Sequence, residues 1–232
     1  FADAPPNASH EEIARREAAI AAAREAVRRD GFWFVDVPRT SSTSIRYELG
    51  RAFGPLHGKR NTDSAEHRTA QMFRDHLTAR EMRALLGPDL WEELYTFSIV
   101  RNPWDRAVSH YERRRRRGNI PDDWGFAEYL RRHVAATADT PYFEAPAFRH
   151  GAAEMLTDAD GSLLVRHVVR FEDREAGLGP VRAKLGLANL GHTHIQTSGG
   201  SGRDYRAMYD DETRALIAER FADDIRLFDY SF

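Results

Sequence analysis

Apolar and polar positions change period several times along the chain, and each change marks an element. Ser9 followed by Glu12 is a capping-box signature. The run rich in Ala, Glu and Arg up to Arg29 then favours helix. Its large apolar residues are Ile13, Ile20 and Val27, one narrow stripe, so residues 1–30 are expected to form a helical arm packed on the rest. A partner-binding helix is the alternative. After Gly31, Phe32 to Val37 is a short β-favouring apolar run ended by Pro38, as in a buried strand. The polar turn Arg39 to Ser44 then opens a helix expected from about Ile45 to the residue before Gly54.

Thr69 to Phe73 is a candidate second strand, and Thr78 with Glu81 caps a helix over Ala79 to Leu86. Tyr95 to Val100 is a strand by composition, and Asn102 and Pro103 are set to start the helix after it. Leu163 to Val169 reads as a fourth strand. Asp210 caps a last amphipathic helix whose core face is Ile217, Phe221, Ile225 and Phe228. Strands alternating with helices predict an α/β fold with a mostly parallel central sheet flanked by helices. Residues 31–232 are read as a single domain, with 118–161 as a helix and loop insertion and a candidate lid.

Composition narrows the chemistry. The 34 Lys and Arg against 36 Asp and Glu give a net charge of -2, so no global pull toward nucleic acid is expected. The absence of cysteine removes disulfides, thiolate metal ligands and a thiol nucleophile. No apolar run approaches the length of a membrane span. A cytoplasmic protein is the expectation, although the chain begins at Phe1 rather than Met, which leaves a removed leader or anchor open.

Ligands of parallel α/β sheets bind at the carboxyl ends of the strands, which singles out two segments. Pro38-Arg39-Thr40-Ser41-Ser42-Thr43-Ser44 places a guanidinium, several hydroxyls and helix-start N–H groups in one turn, a setting for phosphate or sulfate. It lacks the glycines and lysine of a Walker A loop. Read alone, it is equally a Ser/Thr-rich helix cap. The second segment runs from Phe97 to Tyr111, with Arg101 leaving the strand and Ser109 two turns into the next helix. The two can converge on one anion, or Arg101 can be a surface arginine at a helix start.

In this order, about sixty residues apart, the pair resembles the sulfotransferases that use 3'-phosphoadenosine 5'-phosphosulfate, closest to the carbohydrate-type (Golgi-like) branch and its bacterial relatives. The resemblance runs from about Gly31 to Tyr230 through Arg170-Phe171-Glu172 and Tyr205, and implies a P-loop-like sulfotransferase fold. It implies that Arg39, Thr40, Ser41, Ser42, Thr43 and Ser44 hold the 5'-phosphosulfate and that Arg101 and Ser109 bind the 3'-phosphate. Arg203, in the glycine-rich segment Thr197 to Arg203, is a further phosphate contact, unless that segment is only a linker. The family's usual Lys in the first turn is Arg39 here. An arginine stabilises the departing phosphate electrostatically and does not serve as its general acid.

An acceptor hydroxyl, or an amine, needs a base. His76, in His76-Leu-Thr-Ala79, matches the family's pattern and is the first candidate, against the plain alternative of a histidine bonding locally at a helix start. His67 is the runner-up base and Glu48 the third. No metal is required, because a sulfuryl group carries less charge than a phosphoryl group and no metal-ligand cluster stands out in the sequence. Arg113 to Arg117 reads as a solvated helix end, with steering of an anionic glycan as the sharper alternative. Trp124, Tyr142, Phe143 and Phe148 are either a sugar-stacking wall or a small core. The expected partner is a hydroxyl-bearing acceptor, a carbohydrate or a small natural product. Competing readings are a kinase-like phosphotransferase and an adenosine-bisphosphate-binding module without transfer activity.

Overall fold

The computed structural model describes residues 9–58, 76–136, 148–193 and 204–232. Helix α1 spans His10–Asp30, with Ser9 capping it through the Glu12 amide and Gly31 closing it in the left-handed conformation. Strand β1 is Phe32–Val35, followed by helix α2, Ser42–Phe53. Helices α3 (Ala79–Leu86) and α4 (Pro88–Glu93) lead into strand β2, Tyr95–Val100, and helix α5, Pro103–Arg116. Helices α6 (Phe126–His133) and α7 (Ala152–Leu156) precede strand β3, His167–Arg170. Then come α8 (Arg174–Gly177), α9 (Gly179–Leu185), α10 (Asp211–Arg220) and α11 (Ala222–Leu227).

The described strands form one parallel sheet in the order β1-β2-β3, with Phe34 opposite Phe97 and Phe97 opposite His167. Parallel strands joined by helices are covered on both faces, so every residue of β1 is buried. Alternation still decides which core each side chain enters. Trp33 and Val35 pack with Val27 of α1, Met82 and Leu85 of α3 and Trp91 of α4. Phe32 and Phe34 point the other way, onto Ile45 and Leu49 of α2 and Leu178 and Val181 near α9. A third core joins Trp104 and Tyr111 of α5 to Tyr129 of α6, Phe148, Ile217 and Phe221. Helix α2 also carries a close backbone crossing, since a Cβ on Gly50 would lie 2.6 Å from the Gly58 Cα.

Several boundaries differ from expectation for local reasons. The segment before β3 does not extend from Leu163; that residue bridges Thr157 in antiparallel fashion around a turn in which Asp160 binds Ser162, and pairing with β2 begins at His167. The last helix is broken at Phe221 (φ −118°, ψ 33°), where the ring turns under the guanidinium of Arg106. Ile217, Phe221 and Phe228 are buried as expected, and Ile225 partly so. Helix α2 starts three residues earlier than expected, at Ser42, and β1 stops at Val35. The candidate strand Thr69 to Phe73 lies outside the described residues. The described parts of 118–161 are not detached from the domain: Tyr129, Leu130, Phe148, Met155 and Leu156 are all fully buried. Helix α1 is packed on it as well, with Arg24 donating to the Leu85 carbonyl at 2.9 Å. Among the described residues no helix is long and apolar enough to cross a membrane.

Candidate functional site

The turn between β1 and α2 is built from strained backbone. Arg39 (φ 70°) and Ser41 (φ 69°) both adopt the left-handed conformation, and His76 (φ 67°) is a third non-glycine residue that does so. Such conformations cost about 1 to 3 kcal/mol each and concentrate at functional sites. Turns of this kind gather N–H groups into an anion-binding concavity. Ser41 is the N-cap residue of α2, but its side chain makes no capping bond, and no acid occupies the first turn. The positive end of the helix dipole suits an anion, and the Asp36 carboxylate already reaches Ser42 there.

The hydroxyls here divide by role. Thr40 donates to the Val37 carbonyl at 2.9 Å and closes the turn. Ser41 Oγ accepts from Arg174 Nη1 at 3.0 Å, bringing a cation from α8, past the end of β3. Ser42 and Ser44 are buried and Thr43 half-buried at the start of α2.

The second turn meets the first. Asn102 caps α5 by accepting the Trp104 N–H, and its own N–H donates to Glu172 at 2.7 Å. Arg101, at the end of β2, stacks on Phe171 at 4.2 Å, donates to Asp105 at 2.8 Å and reaches the Arg39 carbonyl at 3.2 Å. Arg39 Nη2 in turn donates to Ser109 Oγ at 2.8 Å and to the Ser109 carbonyl at 3.1 Å. The sequence-predicted residues Arg39, Arg101 and Ser109 thus touch, although Ser109 is 1% exposed and lies under the Arg39 guanidinium.

The electrostatics favour an anion. Burial, and then the charges of Arg113, Arg101, Arg116 and Arg117, push Arg39 down from the usual arginine range to about 9. Arg113, Arg116 and Arg117 follow Ser109 at the spacing of one helix face. Arg114 and Arg115 point elsewhere, toward the Asn119 carbonyl and toward Tyr111 and the Trp124 carbonyl. Part of the arginine run therefore acts at a distance on the turn, even though Arg115 to Arg117 are exposed.

His76 meets the chain at Asp36, one residue past the end of β1. Its Nδ1 lies 2.8 Å from the Asp36 carbonyl and 3.2 Å from Asp36 Oδ1. The Asp36 carboxylate is also 3.3 Å from Arg46 Nη1. Burial pushes this carboxyl up, but His76, Arg46 and a hydrogen bond from Ser42 outweigh it and hold it at about 2. Asp36 thereby ties His76 to the first turn of α2. Glu48, the third candidate base, accepts the amides of Gly191 at 2.5 Å and Thr193 at 2.7 Å, so both its oxygens anchor a chain segment. His67 and Arg203 lie outside the described residues, as do Tyr142 and Phe143. Among the described residues no group of three or more His, Asp or Glu is placed to hold a metal ion.

The residues that sequence reasoning missed are Asp36, Arg174 and Asp105. Asp36 lay inside an apolar run, with no cue that a histidine forty positions on would join it. Arg106, three residues before Ser109 and inside the same motif as Arg101, is 1% exposed and pairs with Asp224 at 3.4 Å, away from the turn. Neither a family model, nor a curated protein, nor a solved structure matches this chain.

Proposed function

We propose that the chain is a sulfotransferase of P-loop-like build that uses 3'-phosphoadenosine 5'-phosphosulfate and delivers its sulfuryl group to an acceptor hydroxyl. The observation that carries this reading is the contact of two anion-binding turns through Arg39, whose side chain rests on Ser109 while its carbonyl receives Arg101. The donor set fits a ligand bearing two separated oxyanions. It consists of guanidinium groups, hydroxyls and helix-start amides, with no acid in the first turn of α2.

The bound donor supplies a sulfuryl group already activated as a mixed anhydride with phosphate. The remaining tasks belong to the chain. Ser42, Thr43 and the amides of the α2 turn hold the 5' end, while Arg101 selects the 3'-phosphate and Ser109 seats the Arg39 guanidinium beside it. Arg39, still cationic at neutral pH, stabilises charge on the departing phosphate oxygen without giving up a proton. His76 accepts the acceptor's proton at Nε2, since Nδ1 is engaged by Asp36. No divalent metal is needed, and the acceptor is a carbohydrate or small molecule carrying a hydroxyl.

Adenosine 3',5'-bisphosphate added without metal is expected to raise the melting temperature well beyond the effect of ATP, and donor labelled in its sulfate is expected to transfer label to a hydroxyl acceptor. Equal stabilisation by both nucleotides overturns the reading.

A further inference from the structure

The Asp36 side chain is buried, 9% exposed, in a wall that is otherwise mostly apolar. A carboxylate there needs compensating charge, and it meets Ser42 and Arg46 on α2 and His76 ahead of α3, although among the described residues Oδ1 accepts no hydrogen bond. His76 is held in a left-handed backbone conformation, and its Nδ1 is aimed at the carbonyl and the carboxylate of one residue. A carbonyl only accepts, so the bond at 2.8 Å requires the proton on Nδ1 and makes Nε2 the basic nitrogen of the neutral ring. Among the described residues, the charged and titratable groups sharing the cleft with His76 are Asp36, Arg46 and His57.

We propose that Asp36 is the positioning residue of His76: its carbonyl fixes the Nδ1–H tautomer, and its carboxylate stabilises the imidazolium formed when Nε2 takes the acceptor's proton. The proposal rests on the sulfotransferase reading for its chemical step. In that step the acceptor oxygen bonds to sulfur as its proton moves to Nε2. The bond from sulfur to the bridging oxygen breaks, and the electron pair leaves with the bisphosphate. Through Ser42, the same carboxylate connects the base to the turn that holds the donor, so base and donor are registered on one buried group.

The test begins with the unmodified full chain, with histidine labelled by nitrogen-15. Above its titration His76 is expected to carry its proton on Nδ1; a proton on Nε2 overturns the proposal. Asp36→Asn is then expected to lower the midpoint of the His76 titration by about one pH unit, because an opposite charge at this distance favours the protonated ring by at least that much. The acid limb of kcat should move down with it, and kcat should fall at least tenfold while the KM for the donor changes less. Asp36→Glu, which restores the charge, should recover most of the midpoint shift. An unmoved midpoint in a folded Asp36→Asn overturns the proposal. The nuclear magnetic resonance readouts need no turnover, so they separate the two claims. A chain with the expected tautomer and shifted midpoint but no sulfuryl transfer supports the positioning role and overturns the transferase reading instead.

Discussion

Arg106, buried within α5, and Arg39, half-buried against it, are both pushed down from the usual arginine range, but the charges around them differ. Arg106 lies against the Phe221 ring at 4.6 Å and pairs with Asp224, whose two oxygens also accept the Ala152 and Ala153 amides at 2.8 Å. It closes a structural knot that joins α5, α7 and α11. Arg39 instead faces Arg101, Arg113, Arg116 and Arg117, all of which disfavour its charge. At Arg106 a carboxylate opposes the effect of burial, whereas at Arg39 the largest charge effects all come from other arginines and add to it.

The largest expected effect breaks the comparison at its structural end. Arg106→Met leaves Asp224 buried without its ion-pair partner and should remove about 3 to 5 kcal/mol of unfolding free energy in urea titration. Arg39→Met should leave stability unchanged or raise it, while weakening adenosine 3',5'-bisphosphate at least tenfold by calorimetry. Comparable destabilisation by both substitutions erases the distinction.

A smaller effect sharpens the binding end. Arg101→Ala removes a charge-assisted contact worth about 1.5 to 3 kcal/mol, so bisphosphate affinity should drop at least tenfold. Neutralising Arg116 and Arg117 together should lower affinity several-fold and flatten its salt dependence, because they act through space. Arg115→Gln, on another side of the helix, should do neither.

The smallest effect lies at the far side of β1. His57 stacks on Phe32 at 4.3 Å and bonds Asp30 at 3.0 Å. Burial, opposed by Asp30, pushes the imidazole down from 6.5 to about 4. The unfolded chain therefore takes up a proton first as pH falls, and stability present above about pH 6.5 is lost progressively down to about pH 4. Between pH 7 and 5 this loss should amount to about 1 to 2 kcal/mol. His57→Gln should flatten that slope; an unchanged slope assigns it to other groups.

What was legible in the sequence follows physical range. The caps at Ser9, Thr78, Asn102 and Asp210 depend on residues two or three positions away, and all four side chains make the bonds their spacing foretold. The strands from Phe32 and from Tyr95 announce themselves because both faces are buried and the run is wholly β-favouring. The break at Phe221 and the late start of β3 were not legible, because both are decided by distant partners, Arg106 in one case and β2 in the other. In the site, Arg39, Arg101 and Ser109 could be named together from a resemblance, but their separation of roles from Arg106 could not. Arginines at neighbouring helical positions look alike until the fold gives one of them an aspartate.

The side chain of Asn102 bears on how the protein is made. While its carbonyl oxygen caps α5, its amide nitrogen donates to the Ser231 carbonyl at 2.8 Å, and Tyr230 hydroxyl donates to the same Glu172 that holds the Asn102 N–H. The turn carrying Arg101 is thus latched by residues synthesised about 130 positions later. A nascent chain emerging from the ribosome can form the helices of its first half, yet it cannot lock that turn until residues 230 and 231 have left the exit tunnel. The turn that carries Arg101 is therefore completed only once residues 230 and 231 have been made, and a chain truncated ahead of them should hold it less firmly.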